Sequence, residues 1–343
     1  MRFSFPCERL GRRSERTDEP AATNMKAAIV RTYERVPEYG DFEEPLAKND
    51  EVLVTVKAAA LSRLVQSQAS GQHYSSDGRF PFVPGGDGVG VLPDGQRVYF
   101  AFPTAPFGSM AERTVVPASL CVSLPDDLDD VTAAAAANPG MSSCAALMER
   151  AKLMKGESVL INGATGVSGR LAVQIAKHLG ARRVIATGRN DASLAGLEAL
   201  GADVLIPLDQ PADALTRAFR TEFKNDSVEV VLDYLWGPSA ECLMAAAAGH
   251  GSRDAEPRIR FVQIGSLSGG TITLPAASLR SSGLELMGSG LGSVSNERLV
   301  NAVGEVLRAI IPKGFKISAQ PVPLVQVAGA WGSKTADRIV FTM

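Results

Sequence analysis

At 343 residues the chain is long enough for two or three domains of ordinary size. Apolar residues make up 45% and charged residues 21%, with Gly plus Pro at about 15%, a globular composition and not a low-complexity one. A formal net charge of −2 offers nothing to a phosphate backbone or an anionic bilayer, so neither nucleic acid nor membrane is an expected partner.

Residues 1–24 mix both charge signs with Pro and show little apolar periodicity, which predicts a disordered lead-in. Glu8, Glu15, Asp18 and Glu19 argue against a transit peptide, and the missing apolar core argues against a secretory signal. Met25 opens MKAAIV and is an alternative start. From 25 to about 130, short apolar runs alternate with turn residues: 25–30, 51–61, 89–92, 97–102 and 111–117 all read as strands, so this half is mainly β. The uncharged stretch 131–148 is mostly Ala and is interrupted by Asn138, Pro139 and Gly140, which argues against a membrane span.

From about 145 the texture becomes strand, Gly-rich turn and helix in repetition, through SVLINGA, SGRLAVQIAKHLGA, RVIATG, LAGLEALGA, DVLIPL, VEVVLDYL, IRFVQIG and LELMGSG. This is the rhythm of a parallel sheet with helices on both faces, an α/β fold. A last helix is expected over 296–311, with Leu299, Val303, Val306, Leu307 and Ile310 on one stripe and its end at Pro312. QPVPLVQVAGAW and ADRIVFTM then read as strands returning to the first half. The four cysteines, Cys7, Cys121, Cys144 and Cys242, lack metal-gathering spacings and read as reduced thiols in a cytoplasmic protein.

The informative motif is NGATGVSG at 162–169, between the strand 158–161 and a helix. There Gly163, Ala164, Thr165, Gly166, Val167 and Gly169 form a turn whose missing Cβ atoms let a pyrophosphate approach the amides at the positive end of the helix dipole. Ala164 stands where the usual first Gly would be. About twenty residues on, where an acid would grip the ribose 2′-hydroxyl of NAD, the chain has Gly188, Arg189 and Asn190. Without a carboxylate there, and with a guanidinium at hand, NADP is favoured over NAD. The competing reading makes Arg189 a solvated residue at a helix start.

Together the β-rich N-terminal half, PFVPGGDGVGVL at 81–92, the 163–169 turn and VEVVLDYLWG resemble the medium-chain dehydrogenase/reductase superfamily, specifically its zinc-free quinone oxidoreductase branch of zeta-crystallin-like enzymes. The resemblance covers about residues 25–343. It implies a GroES-like catalytic domain over 25–140 and 292–343, a Rossmann domain over 141–291, and a cofactor, NADP or NADPH, in the cleft between them. The zinc-binding relatives' Cys is missing from AAALSRLV at 58–65, and Gly86 and Asp87 replace their His-Glu pair, so no metal site is expected. The three histidines, His73, His178 and His250, read as surface or structural residues.

By the same resemblance Ser62 stands where the family has an Asn near the nicotinamide, and Tyr74 matches a Tyr that either donates a hydrogen bond to a substrate oxygen or walls the cleft. Ser142 matches a Thr that bonds the nicotinamide or its ribose. Ile264 and Gly265 match the strand end bordering the nicotinamide ring. Ser193 replaces a Lys that often accompanies NADP. The family also implies a homodimer paired along 284–288. The expected activity is NADPH-dependent, zinc-independent reduction of a quinone. The alternatives are an enone or enal reductase, and a non-catalytic NADPH-binding scaffold or sensor.

Overall fold

The computed structural model describes residues 23–248, 256–333, 335 and 337–343. The expected lead-in lies outside these residues except for Thr23 and Asn24, and Cys7 and His250 lie outside them too. Asn24 is already the first residue of a strand. The N-terminal part runs β1 (Asn24–Ile29), β2 (Glu38–Glu43), β3 (Glu51–Ala60), α1 (Arg63–Ala69), β4 (Asp87–Val91), β5 (Arg97–Ala101), β6 (Arg113–Pro117) and β7 (Cys121–Ser123). A long helix, α2 (Asp130–Ala145), leads to β8 (Ser158–Asn162), α3 (Val167–His178), β9 (Arg183–Gly188), α4 (Asp191–Ala195), β10 (Val204–Pro207), α5 (Ala212–Asn225), β11 (Val230–Asp233), α6 (Gly237–Ala247), β12 (Arg258–Gln263), α7 (Ala276–Arg280) and β13 (Gly283–Gly288). The chain ends with α8 (Asn296–Lys313), β14 (Ala319–Pro323), α9 (Val327–Ala330) and β15 (Arg338–Thr342).

Six strands form an all-parallel sheet in the order β10-β9-β8-β11-β12-β13. Parallel strands covered on both faces need continuous apolar sequence, and β8 and β11 are buried at every position. The strand order reverses between β8 and β11, so the carboxyl ends of these two strands open a crevice at the topological switch point. The second sheet, β14-β15-β3-β4-β5-β7 with β6 on β3, is mainly antiparallel and includes the two C-terminal strands, as the sequence predicts. The expected α/β architecture, a β-rich part beside a doubly wound parallel sheet, is what the chain forms.

Between the sheets lies α2. Its residues Ala133–Ala137 are fully or almost fully buried, and it packs on α3 and α8 on one side and on β3 and β4 on the other. One apolar core runs through it from Val54 and Tyr99 to Leu171 and Val306. Pro139 does not break this helix, contrary to the reading of 131–148 as interrupted. An interior proline costs about 3 kcal/mol, and burial of the helix on both sides offsets that cost. Asp129 caps its start, accepting from Thr132 N–H at 2.8 Å. None of the described helices is long and apolar enough to cross a membrane.

Three local expectations need correction. The last helix does not stop before Pro312 but continues to Lys313, where Gly314 takes a left-handed φ of 64°. Phe315 N–H then bonds to Ile310 O at 2.9 Å, so the glycine cap and not the proline sets the end. Only the first part of QPVPLVQVAGAW is a strand; α9 follows, because Val327 and Trp331 turn inward to the core of the β-rich part. LAGLEALGA contributes only the end of the five-residue α4 and a tight turn over Glu198–Leu200. Leu194 and Leu197 are its buried anchors.

Candidate active site

The loop after β8 is shaped by close approach. A Cβ on Gly169 would lie 2.5 Å from both Ala164 Cα and Gly163 O, so only glycine lets α3 sit this tightly on its own entry loop. A Cβ on Gly188, at the end of β9, would lie 2.4 Å from Thr165 Cγ2, which packs the two loops against each other. Ala164 N–H donates to Thr187 O at 2.8 Å and Gly163 N–H to Thr187 Oγ1 at 2.9 Å.

Gly166 occupies the N-cap position of α3, and no side chain caps that helix. The space beside Gly166 is open, with no atom within 4 Å of where its Cβ would be. First-turn amides at the positive end of a 12-residue helix are therefore left facing open space, the arrangement that receives a phosphate. Arg189 lies beyond the same sheet end, exposed, and among the described residues it has neither an ion pair nor a hydrogen-bonded partner. Asn190 is committed locally: it caps α4 by accepting from Ser193 N–H at 2.8 Å. The residues present thus fit a dinucleotide with an extra phosphate, with the exception that Asn190 spends its side-chain oxygen on the helix.

Beneath the loop is a polar network that the sequence reading did not identify. Asn162, fully buried, donates through Nδ2 to Asp233 Oδ1 at 2.9 Å and to Ser239 Oγ at 2.9 Å, and accepts from Thr187 Oγ1 at 2.9 Å. Asp233 also accepts from the amides of Leu235 and Trp236, at 3.0 and 3.1 Å. Burial raises the Asp233 pKa above the ordinary carboxylate value, opposed by those amide bonds and by Asn162. The amide bonds hold Trp236 at φ 58°, a region that favours glycine. A signal existed in sequence: an Asn, a Thr and an Asp each stand at or next to the end of a strand with an apolar centre.

Across the crevice, Ser142 and Ser143 on α2 both donate to Pro139 O, at 2.8 and 3.0 Å. Ser143 Oγ also lies 2.9 Å from the Tyr234 hydroxyl and 3.4 Å from Ser168 O in the first turn of α3. Ile264 and Gly265 follow β12, and their amides donate to Asp233 O at 2.8 and 3.1 Å. Ser142, the 163–169 turn, Gly188 and the Ile264–Gly265 backbone therefore converge on the carboxyl ends of β8, β9, β11 and β12.

The two residues expected to act on substrate come from the other side. Tyr74 is 76% exposed, stacks on His73 at 4.0 Å between ring centroids, and donates its hydroxyl to Leu291 O at 3.2 Å, linking the loop after α1 to the segment after β13. Ser62 is buried and caps α1, its Oγ accepting from Val65 N–H at 3.1 Å. That cap engages one lone pair and leaves its proton to be placed. Gly86 precedes Asp87, which is buried and accepts from the Tyr99 hydroxyl at 3.2 Å. Burial pushes the Asp87 carboxyl up to about 6, with Arg338 and the Tyr99 bond pulling it down. Among the described residues no three His, Cys, Asp or Glu side chains converge where a metal ion could sit.

Comparison with known proteins agrees with this architecture. A family model described as "Zinc-binding dehydrogenase" matches residues 168–308. An Emericella nidulans protein named "Probable NADPH-dependent quinone reductase tdiC" is 27% identical, over 90% of this chain and 96% of its own length. The 2-methylene-furan-3-one reductase of Solanum lycopersicum is 34% identical over 47% of this chain, and that match spans 46% of the relative. Among solved structures, a mycobacterial quinone oxidoreductase superposes with a TM-score of 0.79 at 23% identity, over 93% of this chain and all of that one, which speaks for the fold. Over residues 168–308 the chain is thus similar to the zinc-binding dehydrogenase family, and over most of its length to the E. nidulans protein, with the fold of the mycobacterial enzyme.

Proposed function

We propose that the protein is an NADPH-dependent quinone reductase, with the dinucleotide laid over the carboxyl ends of β8, β9 and β12. The observation that carries this reading is the uncapped start of α3 beside an exposed Arg189. The bound cofactor supplies a hydride from its nicotinamide ring. The amides at 167–169 hold the pyrophosphate, and Arg189 pairs with the 2′-phosphate where no carboxylate opposes it. Ser142 and the Ile264–Gly265 backbone border the ring, and Tyr74 offers its hydroxyl to the acceptor oxygen. The name of the E. nidulans relative supports the acceptor class. A second reading, reduction of an enone by the same cofactor, is favoured by the 34% identity to the furanone reductase.

The test is optical: purified protein with NADPH or NADH against a panel of quinones and enones. NADPH oxidation with small quinones is expected, enones outpacing quinones would establish the second reading, and tight NADPH binding without turnover on either would make the protein a scaffold or sensor. In the same assay Arg189→Ala is expected to lower kcat/KM for NADPH about tenfold or more and leave NADH unchanged, as loss of a charge-assisted hydrogen bond predicts. A clear preference of the unaltered protein for NADH would overturn the role given to Arg189.

β13 lies at the open edge of the parallel sheet with Leu286 exposed, and we assign homodimer formation to that edge. Light scattering is expected to give twice the mass of one chain; a monomer at micromolar concentration would refute the pairing.

A further inference from the structure

We propose that Tyr234 is a positioning residue for the nicotinamide half of the cofactor, acting through the hydroxyls of Ser142 and Ser143; the inference rests on the NADPH reading above. Tyr234 directly follows β11, and its side chain is buried between the parallel sheet and α2. Its hydroxyl is 2.9 Å from Ser143 Oγ, and Ser142 is close enough to favour its charged form. Both serines already give their single proton to Pro139 O. A proton count then makes the phenol the donor to a serine oxygen, which fixes the direction of the chain: Tyr234 O–H to serine Oγ to Pro139 O.

The backbone of the same residue reaches the other parts of the crevice. Tyr234 N–H donates to Asn162 O at 3.1 Å, just before the glycine turn. Tyr234 O lies 2.6 Å from where a Cβ on Gly265 would be, so the strand end assigned to border the ring presses directly on it. Ser143 Oγ also lies 3.4 Å from Ser168 O, in the first turn of α3, so the serine held by Tyr234 packs against the start of that helix. One side chain thus ties α2, the 163–169 turn and the end of β12 to each other. Burial pushes the phenol up to about 12, so it stays a neutral donor throughout the working pH range. An apolar ring would fill the space equally well; the oxygen serves to set the two serine hydroxyls. Of these, Ser142 is the half-buried one.

Tyr234→Phe removes the oxygen and keeps the ring. Titration with NADPH and with 2′,5′-ADP, which contains only the adenosine half, separates a positioning role from general loosening. The expected result is about a tenfold rise in the NADPH Kd, the size of one lost hydrogen bond to a buried group, with the 2′,5′-ADP Kd changed less than twofold. Adding Ser142→Ala to Tyr234→Phe should weaken NADPH binding less than Ser142→Ala does in the unaltered protein, since the two act in series. An unchanged NADPH Kd, an equal loss for both ligands, or additive losses would overturn the proposal. If Tyr234→Phe does not fold, Ser142→Ala alone must show the same split between the two ligands, and its absence overturns the proposal equally. Failure of the unaltered protein to bind either ligand would instead remove the cofactor reading, and this inference with it.

Discussion

Replacing Gly169 with valine is expected to abolish NADPH binding and to destabilise the protein by about 1 to 3 kcal/mol, the range for forcing a side chain into a filled space. The atoms that a Cβ would strike, Gly163 O and Ala164 Cα at 2.5 Å and Ala164 C at 2.8 Å, are all backbone and cannot swing aside. Relief comes only by lifting α3 off its entry loop. That displacement moves the uncapped amides at 167–169, whose hydrogen bonds to a phosphate fail within a few tenths of an ångström. Gly166→Ala is the control: its Cβ meets nothing within 4 Å, so thermal stability should be unchanged. NADPH titration and thermal unfolding check both variants. A Gly169→Val protein that binds NADPH like the unaltered one would show that the nucleotide does not use this turn.

The second large effect is expected from Asn162→Ala, at about 3 kcal/mol or more. The amide is the hub joining β8, β9 and β11, and its loss leaves Thr187, Ser239 and one oxygen of Asp233 without this partner, all buried. The pH dependence identifies the mechanism. Burial holds the folded-state pKa of Asp233 above its unfolded value, so its unfavourable contribution is absent below the unfolded pKa and complete once pH exceeds the folded pKa. Removing a donor that lowers this pKa raises it further. The cost of Asn162→Ala should therefore be smaller near pH 4 than near pH 7.5, as measured by urea unfolding of both proteins at each pH. A loss equal at both pH values would mean that the carboxylate does not depend on Asn162.

Gly169 meets atoms five and six residues away whereas Asn162 meets partners 25 to 77 residues away, and this difference marks how far the sequence could be read. β8 and β11 were legible because a strand covered on both faces must be apolar at nearly every position, and β9 and β12 by their shorter apolar runs. The glycine turn was legible from spacing, since a short strand-to-helix connection restricts which residues fit. The caps at Ser62 and Asn190 had local signals too, a Ser and an Asn immediately before short helices, yet the family pattern drew attention to Ser62, and the position after the second strand to Asn190, as binding residues instead.

Other features had no local signal. α2 was hidden because alanine marks no apolar face and Pro139 reads as a stop, whereas packing against one sheet and two helices decides the matter. Tyr234 meets Ser143 across 91 residues of chain, and Tyr74 meets Leu291 across 217. The chain by itself determined the class of fold, the place of the glycine-rich turn and the missing carboxylate after β9, because each follows from the chemistry of neighbouring residues. Tertiary structure alone decided which hydroxyls share protons, which side chains lose water and which face of α2 meets the crevice, because hydrogen bonding and desolvation act between groups that only folding brings within 3 Å.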